Sequence, residues 1–177
     1  MQDNVINFYR VSEVPYGVFS NFPFRPIVLG GEVWNSSEIY FQAKKFEGTE
    51  HEQIVRAAET SQMAADMGRE RSRPLRADWN DEKDMASLPD HATLSVAWAK
   101  HVGRPMLVKD YIMLLAVRAK FTQHEDLKQL LISTAESLLV EHTKNDSYWA
   151  DGGDGTGVNM LGKILMIVRD EINCAAN

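Results

Sequence analysis

A mainly helical α+β fold with a small antiparallel sheet at the N-terminal end is predicted from three observations. Val5-Ile6-Asn7-Phe8-Tyr9 has strand composition, and Ile27 to Leu29, Gly30-Gly31 and Glu32-Val33-Trp34 read together as a hairpin. From Ser36 onward, apolar residues recur at helical spacing in one segment after another. The 177 residues are 44% hydrophobic and 25% charged, an ordinary folded composition, and the length suits a single domain over residues 1–177.

The elements follow in order. A helix is expected from Ser36 to about Glu47 and another from about Glu50 to Met67, with Gly68 as its C-terminal cap. Residues 69–79 are too basic and too broken by proline for core, and Asn80 to Asp90, ending in Leu88-Pro89-Asp90, reads as an exposed loop. Residues 91–104 read as a short helix. Lys109 to Phe121 and His124 to Leu131 are helical, Leu138 to Glu141 is an apolar strand, and Val158 to Ile172 is a final amphipathic helix. There is no internal repeat.

Charge and composition exclude several function classes. With 19 Lys plus Arg against 25 Asp plus Glu the net charge is -6, so the overall field opposes long nucleic acid and anionic lipid. An anionic ligand must be held locally. Cys174 is the single cysteine, which rules out an intramolecular disulfide and a cysteine-rich zinc site, and the histidines show no H-x-x-x-H spacing. Met1-Gln2-Asp3-Asn4 runs directly into the first strand without a basic or apolar leader, and no apolar run nears the ~20 residues of a membrane span. A soluble, cytoplasmic protein is expected, with no membrane partner.

The first helix carries the strongest chemical signal. At about 100° per residue, Glu38, Gln42 and Lys45 fall in one stripe, flanked by Phe41 on one side and by Phe46 and Ile39 on the other, with Tyr40, Lys44 and Glu47 opposite. A solvated helix keeps its charges away from its aromatic residues. Burying a carboxylate and an ammonium beside phenyl rings is unfavourable unless they pair or serve a site. Two structural alternatives stand beside the functional one: Glu38 as the N3 partner of an Asn35 cap, or a Glu38–Lys45 ion pair.

Two further segments invite a ligand. Glu141 to Trp149 leads into Asp151-Gly152-Gly153-Asp154-Gly155-Thr156-Gly157 and then a helix, without a P-loop, a dinucleotide fingerprint or the EF-hand register. The glycines form either a flexible turn or a close approach to a ligand, with N–H groups at the start of the last helix facing an anion and Asp146 and Trp149 as walls. Arg69, Arg71, Arg73 and Arg76 put four of ten arginines within eight positions, as a phosphate clamp or a solvated basic loop. Trp79 could stack on a base or fill core.

Phe19-Ser20-Asn21-Phe22, Trp34-Asn35-Ser36-Ser37-Glu38, Tyr40-Phe41-Gln42-Ala43-Lys44-Lys45-Phe46, Met67-Gly68-Arg69-Glu70-Arg71-Ser72, Asp78-Trp79, Arg118-Ala119-Lys120-Phe121, Leu139-Val140-Glu141-His142-Thr143 and Asn145-Asp146-Ser147-Tyr148-Trp149 resemble, in order and over nearly the whole chain, the YbiA-like family, also called NADAR for NAD and ADP-ribose. The resemblance implies a compact, mainly helical fold, an orthogonal bundle with a small sheet. It also implies N-glycosidase activity: bacterial members hydrolyse the ribosylamine bond of phosphorylated pyrimidine intermediates of riboflavin synthesis, and others remove ADP-ribose from guanine. The family's functional glutamate matches Glu38, its tryptophan Trp79, and its second acidic-aromatic pair Asp146 and Trp149. Three features depart from the family. Ile39 stands where a histidine often follows the glutamate, Ala150 where glycine usually follows the second tryptophan, and residues of about 80–108 form an inserted segment.

The expected reaction cleaves a ribose C1–N bond, and positive charge develops at C1 and the ring oxygen. Glu38 is expected to stabilise that charge and to orient or deprotonate water, with Asp146 as a second carboxylate. An alternative makes Lys45 a nucleophile through an imine at C1. Trp79 and Trp149 would flank the base and Arg69, Arg71 and Arg73 would take the phosphate, with Asn21, Gln42 and Asn159 as polar contacts. No metal or organic cofactor is implied. The substrate is expected to be a small phosphoribosyl compound releasing ribose 5-phosphate. Two alternatives are hydrolysis of ADP-ribosylated guanine and a non-catalytic ADP-ribose-binding module.

Overall fold

The structure, a computed structural model, describes residues 4–175; the leaderless start expected at Met1 to Asp3 lies outside them. The chain divides into two compact units. One takes the described residues up to Ser20, Asp84–Pro105 and those from Phe121 onward; the other takes Asn21–Lys83 and Met106–Lys120.

In the first unit, strand β1 (Val5–Phe8) pairs in parallel with strand β4 (Leu138–Glu141), from Val5 opposite Leu138 to Phe8 opposite Glu141. Ile6 and Phe8 face inward and Val5 outward, the alternation of a half-buried strand. The N-terminal strand therefore stands apart from the antiparallel hairpin expected to include it. A parallel partner requires a long crossover, and this one lies 133 residues away. Phe19, at the end of the 3-10 turn Tyr16–Phe19, meets Phe8 and Phe121 at 5.7 Å each, both edge to face. The last helix, Met160–Ala175, is lined with buried Leu161, Ile164, Leu165, Ile167 and Val168. Its Gly162 lets the β4 backbone approach, since a Cβ there would lie 2.1 Å from the Leu139 carbonyl oxygen. Buried Arg169 is satisfied by the Thr134 hydroxyl at 2.8 Å and the Ser137 carbonyl at 2.9 Å. The segment expected as loop and short helix contains a 3-10 turn (Met85–Ser87) and helix His91–His101, and Leu88 is buried.

In the second unit, strands β2 (Ile27–Leu29) and β3 (Glu32–Trp34) form the expected antiparallel hairpin. Both loop residues, Gly30 and Gly31, have positive φ (63° and 78°), as the tight turn that matches strand twist requires. Helix α1 (Ser37–Lys44) follows, then α2 (Glu50–Arg56) and α3 (Ser61–Arg69). Ser36 caps α1 by accepting from the Ile39 N–H at 3.1 Å, so the alternative of an Asn35 cap is not the one adopted. The helix expected from Glu50 to Met67 is two helices, because Thr60 caps α3 by accepting the Met63 N–H at 3.1 Å. Gly68 is thereby inside α3 instead of capping it. In chain order α4 is the His91–His101 helix, α5 runs Val108–Gln123, α6 Glu125–Ser133, and α7 is the last helix. Buried Asp110 caps α5, accepting the Leu107 N–H at 3.0 Å. No helix among the described residues is long and apolar enough to cross a membrane.

Candidate functional site

Every residue of α1 from Ser37 to Ala43 is buried. The face opposite the polar stripe is covered too: Tyr40 meets Trp34 edge to face at 5.0 Å, and the Lys44 ammonium lies over both rings while pairing with Glu47 (2.9 Å) and Glu52 (2.7 Å). Burial pushes the Tyr40 phenol up to about 12. Burial pulls the Lys44 ammonium down, and its bonds to Glu52 and Glu47 more than offset that and raise it. This face is a structural ion-pair cluster on an aromatic base.

The other face is different. Glu38 is 6% exposed and its carboxylate accepts from Gln42 Nε2 at 2.7 Å, one helical turn on. The Glu38 N–H donates to the Asn21 carbonyl at 3.1 Å, and the Ser37 hydroxyl bonds the same carbonyl and Asn21 Oδ1 at 3.2 Å each. Asn21 Nδ2 points to Met113 Sδ on α5 at 3.1 Å. Asn21 therefore ties down the first turn of α1, which fixes the backbone from which Glu38 projects. Gln42 is 7% exposed, and its Oε1 is buried without a hydrogen-bond partner. Half-buried Lys45 holds its ammonium 5.3 Å from the Phe41 ring centre, and Phe41 packs on Trp79 at 5.2 Å. Trp79 is 6% exposed and packs on Phe41.

The arginine run is mostly neutralised by its own neighbours. Arg69 pairs with Asp66 at 2.8 Å, Arg73 with Glu70, and Arg76 with Glu47 and with Asp78 at 2.6 Å. Arg71 is exposed and makes no ion pair among the described residues.

In the other unit, the glycine-rich loop closes on itself. Asp146 Oδ1 accepts the N–H groups of Tyr148 and Trp149 at 2.7 Å each. Half-buried Trp149 meets Tyr148 edge to face at 5.2 Å. Buried Asp151 accepts from the Thr143 N–H (3.2 Å), the Gly153 N–H (2.8 Å) and His142 Nδ1 (2.7 Å). Burial pulls its carboxyl up, but these bonds prevail and hold it low. Gly153 and Gly157 are needed because a Cβ would lie 2.9 Å from the Lys144 nitrogen and 2.5 Å from the Asp151 carbonyl carbon. Of the two readings of this segment, the loop geometry favours the turn over an anion site at the start of the last helix. The N–H groups of Asn159, Met160 and Leu161 donate to the carbonyls of Ala150, Tyr148 and Trp149 at 2.9–3.0 Å, which leaves them no donor for a ligand. Asn159 uses both ends of its amide on the β4 backbone, accepting the Glu141 N–H at 3.0 Å and donating to the Leu139 carbonyl at 2.8 Å.

Sequence reading left Lys120 without a role. It is 1% exposed on α5, and burial, with Arg25 adding to it, lowers its ammonium to about 7. The signal was present in the sequence, since Lys120 continues the buried stripe of Met113, Ala116 and Val117 at helical spacing. Among the described residues no three His, Cys, Asp or Glu side chains gather as a metal site requires.

The chain thus has a mainly helical α+β fold and, on helix α1, a buried carboxylate held by an amide of the same helix. The NADAR domain family matches residues 96–173. N-glycosidase YbiA of Shigella flexneri serotype 5b is 43% identical over 172 residues, covering 97% of this chain and 91% of that protein. The solution NMR structure of YbiA from E. coli superposes with a TM-score of 0.77 at 42% identity, over 99% of this chain and 89% of that one. A riboflavin biosynthesis protein of Vibrio vulnificus is 33% identical over 97% of this chain, which spans 40% of that larger protein. The chain belongs to the NADAR family of YbiA-like proteins.

Proposed function

We propose that this protein is an N-glycosidase that hydrolyses the ribose C1–N bond of phosphorylated ribosylaminopyrimidine intermediates of riboflavin biosynthesis and releases ribose 5-phosphate. The observation that carries the reading is the buried Glu38 carboxylate, oriented by Gln42 from its own helix and by Asn21 from the chain before it. Near-full-length similarity to N-glycosidases supports the reaction class, and the name of the Vibrio relative supports the pathway.

As the C1–N bond breaks, its electron pair leaves with nitrogen and positive charge develops at C1 and the ring oxygen. A fixed anion stabilises that state without reorganising. Glu38 supplies the charge and takes a proton from the attacking water, whose oxygen bonds to C1, and that proton is passed on to the departing nitrogen. Gln42 Oε1, buried without a partner, is the acceptor for a donor on the sugar or amine, since an unsatisfied buried acceptor calls for a ligand. Lys45, close to Phe41 and half-buried, sits by the same stripe as a cation for the phosphoribosyl group or as the alternative nucleophile. Asp146, which holds the Tyr148 and Trp149 N–H groups, and Trp149 are given no part in this step. Arg71 is the arginine of the run that makes no ion pair among the described residues. Asn159 is assigned to the loop and not to the substrate, because each end of its amide bonds the β4 backbone.

The test is incubation of the wild type and Glu38→Gln with a ribosylaminopyrimidine 5'-phosphate and, separately, with ADP-ribosylated guanosine. Released sugar is identified by mass spectrometry. Ribose 5-phosphate from the first substrate with the wild type alone supports the reading. Release from the second substrate only would replace it.

A further inference from the structure

A glycine inside a helix is unfavourable relative to alanine unless its conformation or its lack of a side chain is needed. Gly68 lies in the last turn of α3 and is buried. Its φ is not among the positive values that would require glycine. What it meets instead is α1: a Cβ at position 68 would lie 1.9 Å from Gln42 Oε1, 2.8 Å from Gln42 Cδ and 3.4 Å from Lys45 Nζ. The Gln42 amide thus occupies the volume that any other residue at position 68 would fill. From that place its Nε2 reaches Glu38 Oε1 at 2.7 Å.

We propose that Gly68 is a positioning residue for the reaction: by carrying no side chain it seats the Gln42 amide, which in turn holds the Glu38 carboxylate in its working orientation. The inference rests on the function proposed above and adds to it a part of α3 not otherwise connected with the chemistry. A contact at 1.9 Å cannot persist, and the atom that yields is the end of a flexible side chain, while the α3 backbone stays in place. The fold accommodates an alanine by turning the amide aside, and a turned amide no longer donates to Glu38. Gln42 Oε1 also leaves its place in the site. Helix propensity acts in the opposite direction, so alanine at 68 strengthens α3 while weakening catalysis. A merely structural glycine could not produce that separation of stability from turnover.

The experiment measures kcat, KM and thermal unfolding for wild type, Gly68→Ala, Gln42→Ala and the double variant on the ribosylaminopyrimidine phosphate. Gly68→Ala is expected to fold with an unchanged or raised Tm and to lose about tenfold or more in kcat, with a smaller change in KM, as removal of a hydrogen bond to a charged group predicts. Gln42→Ala is expected to lose a similar amount. The double variant should be no worse than Gln42→Ala, because with the amide gone the new methyl group displaces nothing that matters to Glu38. Wild-type kcat in Gly68→Ala overturns the proposal. So do losses that add in full in the double variant, which would mean that Gly68 acts by another route, and failure of Gly68→Ala to fold, which would make the contact a stability device. An inactive wild type would count against the proposed function instead, and is distinguished from all of these by the first measurement.

Discussion

Helix α1 and the loop from His142 to Asn159 are both rich in polar side chains at buried or half-buried positions, yet they distribute their hydrogen bonds in opposite ways. In the loop, Asp151 takes two backbone N–H groups and His142, Asn159 bridges two β4 backbone groups, and the start of α7 is capped by loop carbonyls. Nearly every donor and acceptor there serves the shape of the loop. On α1, Glu38 and Gln42 bond to each other and leave Gln42 Oε1 buried and unmatched. A polar group that completes a turn is structural. One enclosed with capacity left over is what a ligand requires. Polar composition alone does not separate the two cases; the balance of donors and acceptors does.

The sharpest break of that comparison is at Glu38. Glu38→Gln keeps the shape and a hydrogen-bonding end and removes the charge, so kcat/KM is expected to fall by about a hundredfold or more while the circular dichroism spectrum and Tm stay close to wild type. Turnover within a few-fold of wild type would remove Glu38 from the chemistry and make α1 as structural as the loop.

Two buried cations, Arg169 and Lys120, lie on the helices. Burial lowers Arg169, which donates to Thr134 and Ser137, and burial, with Arg25, lowers Lys120 to about 7 from 10.5. Between those values the unfolded chain binds a proton that the folded chain does not. This group's contribution to stability therefore rises as pH increases from about 7 to 10.5, and below 7 it disfavours the folded state to its full extent. Urea unfolding at pH 7, 8.5 and 10 should show the rise in the wild type, a few kcal/mol at most, and lose it in Lys120→Met. An identical pH dependence in both proteins would assign it elsewhere.

Asn159 tests the structural side. Asn159→Ala removes both bonds to β4 and places alanine at a φ of 54°, a conformation that asparagine tolerates better. A loss of about 3 kcal/mol in urea unfolding is expected, with KM unchanged wherever the protein remains folded. A raised KM in a protein of unaltered stability would return Asn159 to the substrate.

The parts legible in the sequence were those governed by local periodicity and turn chemistry. The polar stripe of α1, the Gly30-Gly31 hairpin and the amphipathic last helix needed only spacing of 3.6 or 2 and two glycines. What escaped depends on distant partners. β1 reads as a strand but nothing local says that it pairs in parallel with Leu138 to Glu141. Gly68 looked like a helix cap because the rule for glycine sees only its own chain, while the reason for it is the Gln42 amide on α1. The N–H groups opening α7 looked available to an anion because the carbonyls that claim them fold back from Tyr148 to Ala150. The break between α2 and α3 was readable, since Thr60 is a good cap, but an uninterrupted helical spacing concealed it.

The smallest effects are expected in the arginine run, where exposed ion pairs are worth ~1 kcal/mol or less. Its members looked equivalent in sequence, and the structure separates them. Arg69 and Arg73 must exchange Asp66 and Glu70 for a phosphate, whereas Arg71 gives up no ion pair among the described residues. If the run holds the 5'-phosphate, Arg71→Ala should raise KM for the phosphorylated substrate severalfold, and Arg69→Ala by less, with kcat little changed in either. The dephosphorylated substrate, which lacks the group being contacted, should be used equally by wild type and both variants. Added inorganic phosphate should inhibit wild type and Arg69→Ala more than Arg71→Ala. Equal effects of the two variants on both substrates would show that the ion pairs do not rank these arginines. The run would then belong with the loop, as charge that serves the surface and not the ligand.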